Sequence, residues 1–139
     1  MLTLEEYVEE GVKARKSVSI DRINKFAQLL LHKFENGGKL IAFGNGGSAA
    51  DAQHLVGELD GHFTVERGAL PAVAVSTNTS SLTAIGNDYS YEEIFSRPVS
   101  ALATVNDVVV GISTSGNSAN VLKAINVAKE KGAYTVALT

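Results

Sequence analysis

Residues 108–118, VVVGISTSGNS, join a wholly apolar run to a loop of hydroxyls, glycine and asparagine that opens onto a helical pattern. The layout recurs at residues 40–48, LIAFGNGGS, and more loosely at residues 73–81, VAVSTNTSS. Runs that are apolar throughout fit strands buried on both faces, and an intervening helix returns the chain to start the next strand parallel to the last. The repetition therefore predicts α/β architecture: a parallel sheet in a three-layer αβα sandwich of the flavodoxin-like or Rossmann-like kind.

Two helices are expected before any strand, as a helical extension over residues 1–37, with the α/β core over residues 38–139. Leu4, Val8 and Val12 recur at fourfold spacing in an acidic segment that Gly11 weakens. Ile20, Ile23, Ala27, Leu30, Leu31 and Phe34 make a stronger stripe, which Asn36-Gly37-Gly38 stops. From Lys39 the pattern predicts strand KLIAF, a helix over residues 49–59, strand AVAV, a short helix over 80–85 and a longer one over 91–103. Pro98 kinks or restarts that longer helix. Strand DVVVGI, a helix through Val121, Leu122, Ile125 and Ala128, and strand YTVAL complete four strands. No covering helix follows the last strand, so the pattern predicts a chain truncated at its C-terminus.

With 139 residues, 45% of them hydrophobic and 19% charged, the chain suffices for one globular domain. The net charge is −3 and the 12 Lys and Arg are scattered, so nucleic acid is not an expected partner. Cysteine is absent, which removes disulfides, thiolate ligands and Cys nucleophiles together. The acidic N-terminus has no apolar signal core, and no apolar run approaches the roughly 20 residues of a membrane helix. A cytoplasmic protein without membrane partners is expected.

Ligands of open α/β sheets bind at the carboxyl ends of strands, where all three polar loops fall. A helix start offers unpaired N–H groups and a positive dipole end, so phosphate suits this position. Ser113, Thr114, Ser115 and Ser118 add hydroxyls, while Gly116 and Asn117 permit a tight turn. Turn chemistry with Ser118 as an N-cap explains any one of them. Four on one strand end favour an anion site. Gly44, Gly46 and Ala49 match a G-x-G-x-x-A dinucleotide pattern, but the next strand ends in Ser76 and Thr77 where an acidic residue would hold a ribose. No G-x-x-x-x-G-K-[ST] is present.

Ser48 with Asp51 reads as a variant capping box, at a position that also faces the first loop. His54 and Glu58, four apart, are neighbours on a helix surface. That spacing suits a metal-ligand pair or a carboxylate with an imidazole partner in proton transfer, and equally a solvated polar face. Asn87-Asp88 alone reads as a turn or cap. His32 and His62 are assigned structural positions.

Residues 44–59, GNGGSAADAQHLVGEL, resemble the sugar isomerase (SIS) domain family, and within it the phosphoheptose isomerases. AIGNDYSYEEIF, GISTSGNSANVLKA and TVALT resemble the same family in the same order, so the resemblance spans the chain as one SIS domain over residues 1–139. It implies a homotetramer with active sites between subunits and isomerisation of sedoheptulose 7-phosphate to D-glycero-D-manno-heptose 7-phosphate through an enediol. Carried over by match, Ser48, Ser113, Thr114, Ser115 and Ser118 hold the phosphate. Asn45, Gly46 and Gly47 stand beside it, and Asn87 and Asp88 meet the sugar. Glu58 moves the proton between C1 and C2, and His54 with Glu58 contributes to a zinc site. The family's further ligands, a Gln and a His, belong to a C-terminal helix beyond this chain's last residue, and His62 stands where many members have Arg. The rival reading is a non-catalytic SIS module, either a sugar-phosphate sensor or an adaptor that binds the replication initiator. Glu58 separates the two, because those adaptors lack the carboxylate.

Overall fold

The computed structural model describes residues 2–139. Helices α1 (Leu4–Ser17) and α2 (Ile20–Glu35) precede β1 (Leu40–Gly44), α3 (Gly47–Asp60), β2 (Ala72–Ala74) and α4 (Thr79–Asp88). A 3₁₀ turn at Tyr91–Glu93, α5 (Ser96–Leu102), β3 (Val108–Ile112), α6 (Ala119–Glu130) and β4 (Tyr134–Leu138) follow. The four strands form one sheet in the order β2-β1-β3-β4. Every pair is parallel, with Leu40 level with Ala72 on one side and with Val108 on the other.

Alternate residues of the central strands feed two core layers, as the period of two requires. Ile41, Phe43 and Val109 pack with Ile94 and Phe95 from the junction of the 3₁₀ turn and α5, Val99 of α5, and Val121 and Ala124 of α6. Phe43 stacks on Phe95 with ring centroids 5.2 Å apart, a geometry worth about 0.5–1.5 kcal/mol beyond its area. Leu40, Ala42, Val108 and Val110 face the other way, onto Ala52 and Val56 of α3, with Phe26, Leu30 and Phe34 of α2 alongside. Of the stripe expected on α2, Leu30 and Phe34 thus cover the sheet, joined by Phe26, whereas Ile20, Ile23 and Leu31 stay exposed.

Helix α1 is well capped, since Thr3 accepts from the Glu6 N–H and Glu6 returns a bond to the Thr3 N–H. It buries no residue, and Leu4, Tyr7, Val8 and Val12 are all exposed. The expected helix over 91–103 is divided, and α5 begins at Ser96. Pro98 is its third residue, where an N–H has no acceptor within the helix, so proline restarts the helix at no hydrogen-bond cost. No helix among the described residues is long and apolar enough to cross a membrane.

Candidate functional site

The connection from β1 leads to one edge of the sheet and that from β3 to the other, so a crevice opens above the ends of these adjacent strands. The loops GNGGS and STSGNS flank it. Helices α3 and α6 start there, aiming their free N–H groups and positive dipole ends into the same space. Gly46 bends the first loop at φ +56° and Gly116 the second at φ +66°, values that disfavour a side chain. The Gly116 N–H donates to the Ser113 carbonyl at 3.0 Å and closes the second turn.

The hydroxyls converge: Ser113 Oγ lies 3.0 Å from Ser118 Oγ and 3.5 Å from Ser115 Oγ. Ser113 is buried, Ser118 half-buried, and Thr114 and Ser115 are exposed. Ser118 is the N-cap residue of α6, but its hydroxyl makes no cap hydrogen bond. It turns to Ser113 instead, which corrects the plain N-cap reading. Ser48 corrects the capping-box reading in turn. The N-cap of α3 is Gly46, and Ser48 sits buried in the first turn beneath the loop without capping it.

Two residues absent from the sequence-based site, Asn120 and Tyr91, tie the loops together through Asn45. Asn45 and Asn120 exchange side-chain hydrogen bonds, Nδ2 to Oδ1 in both directions at 2.9 Å. Tyr91 donates its hydroxyl to Asn45 Oδ1 at 3.3 Å. Asn120 is 4% exposed, and this pairing satisfies its buried amide. The 3₁₀ turn that carries Tyr91 is itself pinned to α6, with Lys123 Nζ 2.5 Å from Glu93 Oε1. The Lys123 ammonium and the Ser96 hydroxyl hold the Glu93 carboxyl below the usual carboxylate range, and Glu93 holds Lys123 above its own.

Gly44 explains the G-x-G-x-x-A match without a dinucleotide. A Cβ there would lie 2.6 Å from Ser48 Cβ and 2.8 Å from the carbonyl oxygens of Ile112 and Ser48, so only glycine lets α3 close on the strand ends. Gly44→Ala is expected to cost about 1–3 kcal/mol of stability, with phosphate binding weakened in the fraction that folds. Urea denaturation checks the first effect; a midpoint equal to wild type would show that the helix start simply shifts.

His54 and Glu58 each follow a buried residue of α3, Ala52 and Val56, by two positions. They therefore lie about 200° round the helix, facing away from the sheet. His54 Nε2 is 3.0 Å from Glu58 Oε1, with the side chains 76% and 35% exposed, in a shallow depression shared with Asp51, Leu55 and Phe63. Their donor chemistry suits zinc. Among the described residues, however, no third His, Cys, Asp or Glu joins them as a ligand group, and zinc takes four ligands, at least three of them usually from protein. Asn87 donates to Asp88 Oδ1 at 2.8 Å on the exposed end of α4. His62 stays on the surface, 3.6 Å from Glu66, and His32 stands beside Asn36 on α2.

A doubly covered parallel sheet with paired glycine and hydroxyl loops at its switch point is the architecture of a sugar isomerase domain. The family model described as "SIS domain" matches residues 5–139, and the chain belongs to that family, on the branch of the phosphoheptose isomerases. It is 56% identical to a probable phosphoheptose isomerase of Thermoplasma volcanium over 139 residues, all of this chain and 71% of the relative. To the phosphoheptose isomerase of Geobacter sulfurreducens it is 58% identical over 117 residues, 84% of this chain and 62% of the relative. Among solved structures, a phosphoheptose isomerase from Francisella tularensis superposes with a TM-score of 0.91 at 35% identity, covering all of this chain and 76% of that one. One from Neisseria gonorrhoeae gives 0.85 at 45% identity, covering 97% and 74%.

Proposed function

We propose that the chain is a phosphoheptose isomerase like the relatives it matches, and that it isomerises sedoheptulose 7-phosphate to D-glycero-D-manno-heptose 7-phosphate through an enediol. The observation that carries this is the hydroxyl cluster of Ser113, Ser115 and Ser118 joined to the GNGG loop across two helix starts. It supplies neutral and backbone donors for a phosphate dianion. Ser48, Thr114 and the backbone of Asn45, Gly46 and Gly47 complete the cradle, and Asn87 and Asp88 meet the sugar from the end of α4.

The reaction removes a proton from C1, next to the C2 carbonyl, leaving its electron pair in the C1–C2 double bond of an enediol. The C2 carbonyl's π pair moves onto O2, which takes a proton; return of the first proton to C2, with the O1 proton lost in exchange for the one gained at O2 as the C1 carbonyl forms, gives the aldose. Glu58 is the carboxylate that takes and returns the carbon-bound proton. His54, bonded to Glu58 Oε1, fixes the orientation of the carboxylate and leaves Oε2 free. His54 and Glu58 would hold two positions of a zinc ion whose other ligands come from outside the described residues. Bound there, zinc supplies Lewis acidity toward the substrate oxygens.

Glu58 lies eleven residues beyond Gly47, about 16 Å of axial rise away from the loops at the start of α3. An extended heptose phosphate is shorter than that. We therefore assign the hydroxyl loop of one copy and Glu58 of another to each site, in a cytoplasmic homotetramer. The exposed apolar face of α1, with Ile20 and Ile23 of α2, supplies surface for such an assembly. Val8→Asp combined with Val12→Asp is expected to yield smaller species in light scattering and to abolish turnover. An unchanged mass would remove α1 from the interface.

The function itself is tested by incubating the purified protein with sedoheptulose 7-phosphate and following the aldose signal by NMR. Replacing Ser113 and Ser115 together by alanine should weaken sugar-phosphate binding by roughly 10²–10⁴-fold, since each hydrogen bond to a charged group contributes about 1.5–3 kcal/mol. Unchanged affinity would make both serines turn residues only.

A further inference from the structure

We propose that Ser76, at the end of β2, contacts the carbon chain of the sugar phosphate. The cavity beside Asn45 would then be a subsite for the polyol part of the ligand. This rests on the isomerase reading above. The cavity, about 380 Å³, lies between the start of α3 and the α4 to 3₁₀ segment, within the size range of small-molecule sites. Its walls are largely apolar, including Leu82, Ile94 and Phe95, and no ionisable side chain other than the Tyr91 phenol lines it. A phosphate gains little in such a space. A chain of alternating C–H and O–H groups is matched by it, provided a few polar atoms receive the hydroxyls.

Most polar side chains on these walls are already engaged. Asn45 Oδ1 accepts from Asn120 and Tyr91, and the Thr83 hydroxyl donates to the Thr79 carbonyl at 2.7 Å. Ser76 is the exception: its Oγ is buried and has no hydrogen-bond partner. A buried hydroxyl without a partner loses its water and regains nothing within the fold, so alanine would serve the fold at least as well. No hydrogen bond holds its rotamer, and rotation about a single χ1 swings the oxygen toward the cavity that Ser76 lines. The Asn45–Asn120 link sets this cavity beside the hydroxyl loop. A ligand whose phosphate sits on Ser113 and Ser118 has this cavity, with Ser76 in its wall, open to its carbon chain across Asn45.

The test is Ser76→Ala, compared with wild type by calorimetric titration with inorganic phosphate and, separately, with sedoheptulose 7-phosphate, alongside a thermal melt. Phosphate affinity is expected to stay the same while sugar-phosphate affinity falls about fivefold, the worth of one ordinary hydrogen bond. The melting temperature should hold or rise, because no bond is lost. Equal sugar-phosphate affinity in the two proteins overturns the subsite. A lowered melting temperature with both ligands weakened overturns it too, making the hydroxyl a structural group. Wild-type protein that binds sedoheptulose 7-phosphate no better than phosphate overturns the isomerase reading, and the subsite falls with it.

Discussion

Glu58→Gln is expected to lower kcat for sedoheptulose 7-phosphate by roughly 10²–10⁴-fold, the range that a positioned acid–base group contributes. Glutamine keeps the shape of the side chain and can still bond to His54, so the fold and the start of α3 should be untouched. What disappears is an oxygen able to take a proton from carbon. Phosphate affinity should hold, because Glu58 meets the ligand at C1, the end of its carbon chain opposite the phosphate that the Ser113 loop of the other copy holds. The discriminating measurement is deuterium exchange at C1 in heavy water, run beside the turnover assay. Loss of turnover and of exchange together assigns the proton to Glu58. Exchange at the wild-type rate without product would place Glu58 at a later step, and turnover within tenfold of wild type would remove it from the chemistry.

How much of this site the sequence revealed follows from which interactions are local. The strand-loop-helix units were legible because short apolar runs bounded by glycine and hydroxyls admit few other structures, and β1 and β3 follow the expected KLIAF and DVVVGI to within one residue at each end. The His54–Glu58 neighbour relation was legible for the same reason, since i,i+4 spacing fixes it on any helix. Asn120 was not. Its partner Asn45 is 75 residues away, and the one local hint is a residue of poor helix propensity in the second position of α6. Ser118 and Ser48 misled in the opposite direction, because local rules assign both to caps. In the fold, the glycine turn and the Ser113 hydroxyl compete for them. The division of residues 91–103 was half legible, since Pro98 marks a helix start but nothing local specifies the 3₁₀ turn that presents Tyr91. That Glu58 and the hydroxyl loop lie at opposite ends of α3 needed only the rise of a helix, once the helix was drawn unbroken from Gly47 to Asp60.

Asp107→Ala should damage the fold by roughly 2–4 kcal/mol, because it leaves the Lys39 and Thr104 N–H groups without their acceptor, at about 1–3 kcal/mol for a buried donor left unsatisfied. The Asp107 side chain is 1% exposed and lies 2.9 Å from Lys39 Nζ. Its Oδ1 accepts the Lys39 N–H at 2.8 Å, and its Oδ2 accepts the Thr104 N–H at 2.7 Å and the Thr104 hydroxyl at 2.9 Å. The Asp107 carbonyl also receives the Tyr134 N–H at 3.0 Å. One residue thus fastens the starts of β1, β3 and β4, and the register set there fixes the height of both ligand loops five residues on. Burial alone would raise the carboxyl's pKa, but the bonds from Lys39 and Thr104 outweigh it and leave the group below its ordinary value. A depressed folded-state pKa means that this stabilisation is fully present above the unfolded value, about 3.9, and is lost as pH falls through the lower folded value. Urea midpoints of wild type should therefore drop steeply below about pH 4. Asp107→Asn, which cannot titrate, should start lower at neutral pH and fall less over the same acid window. A wild-type stability that stays flat through that window, or an Asp107→Ala protein within 1 kcal/mol of wild type at pH 7, would mean that the sheet is anchored by its packing and not by this carboxylate.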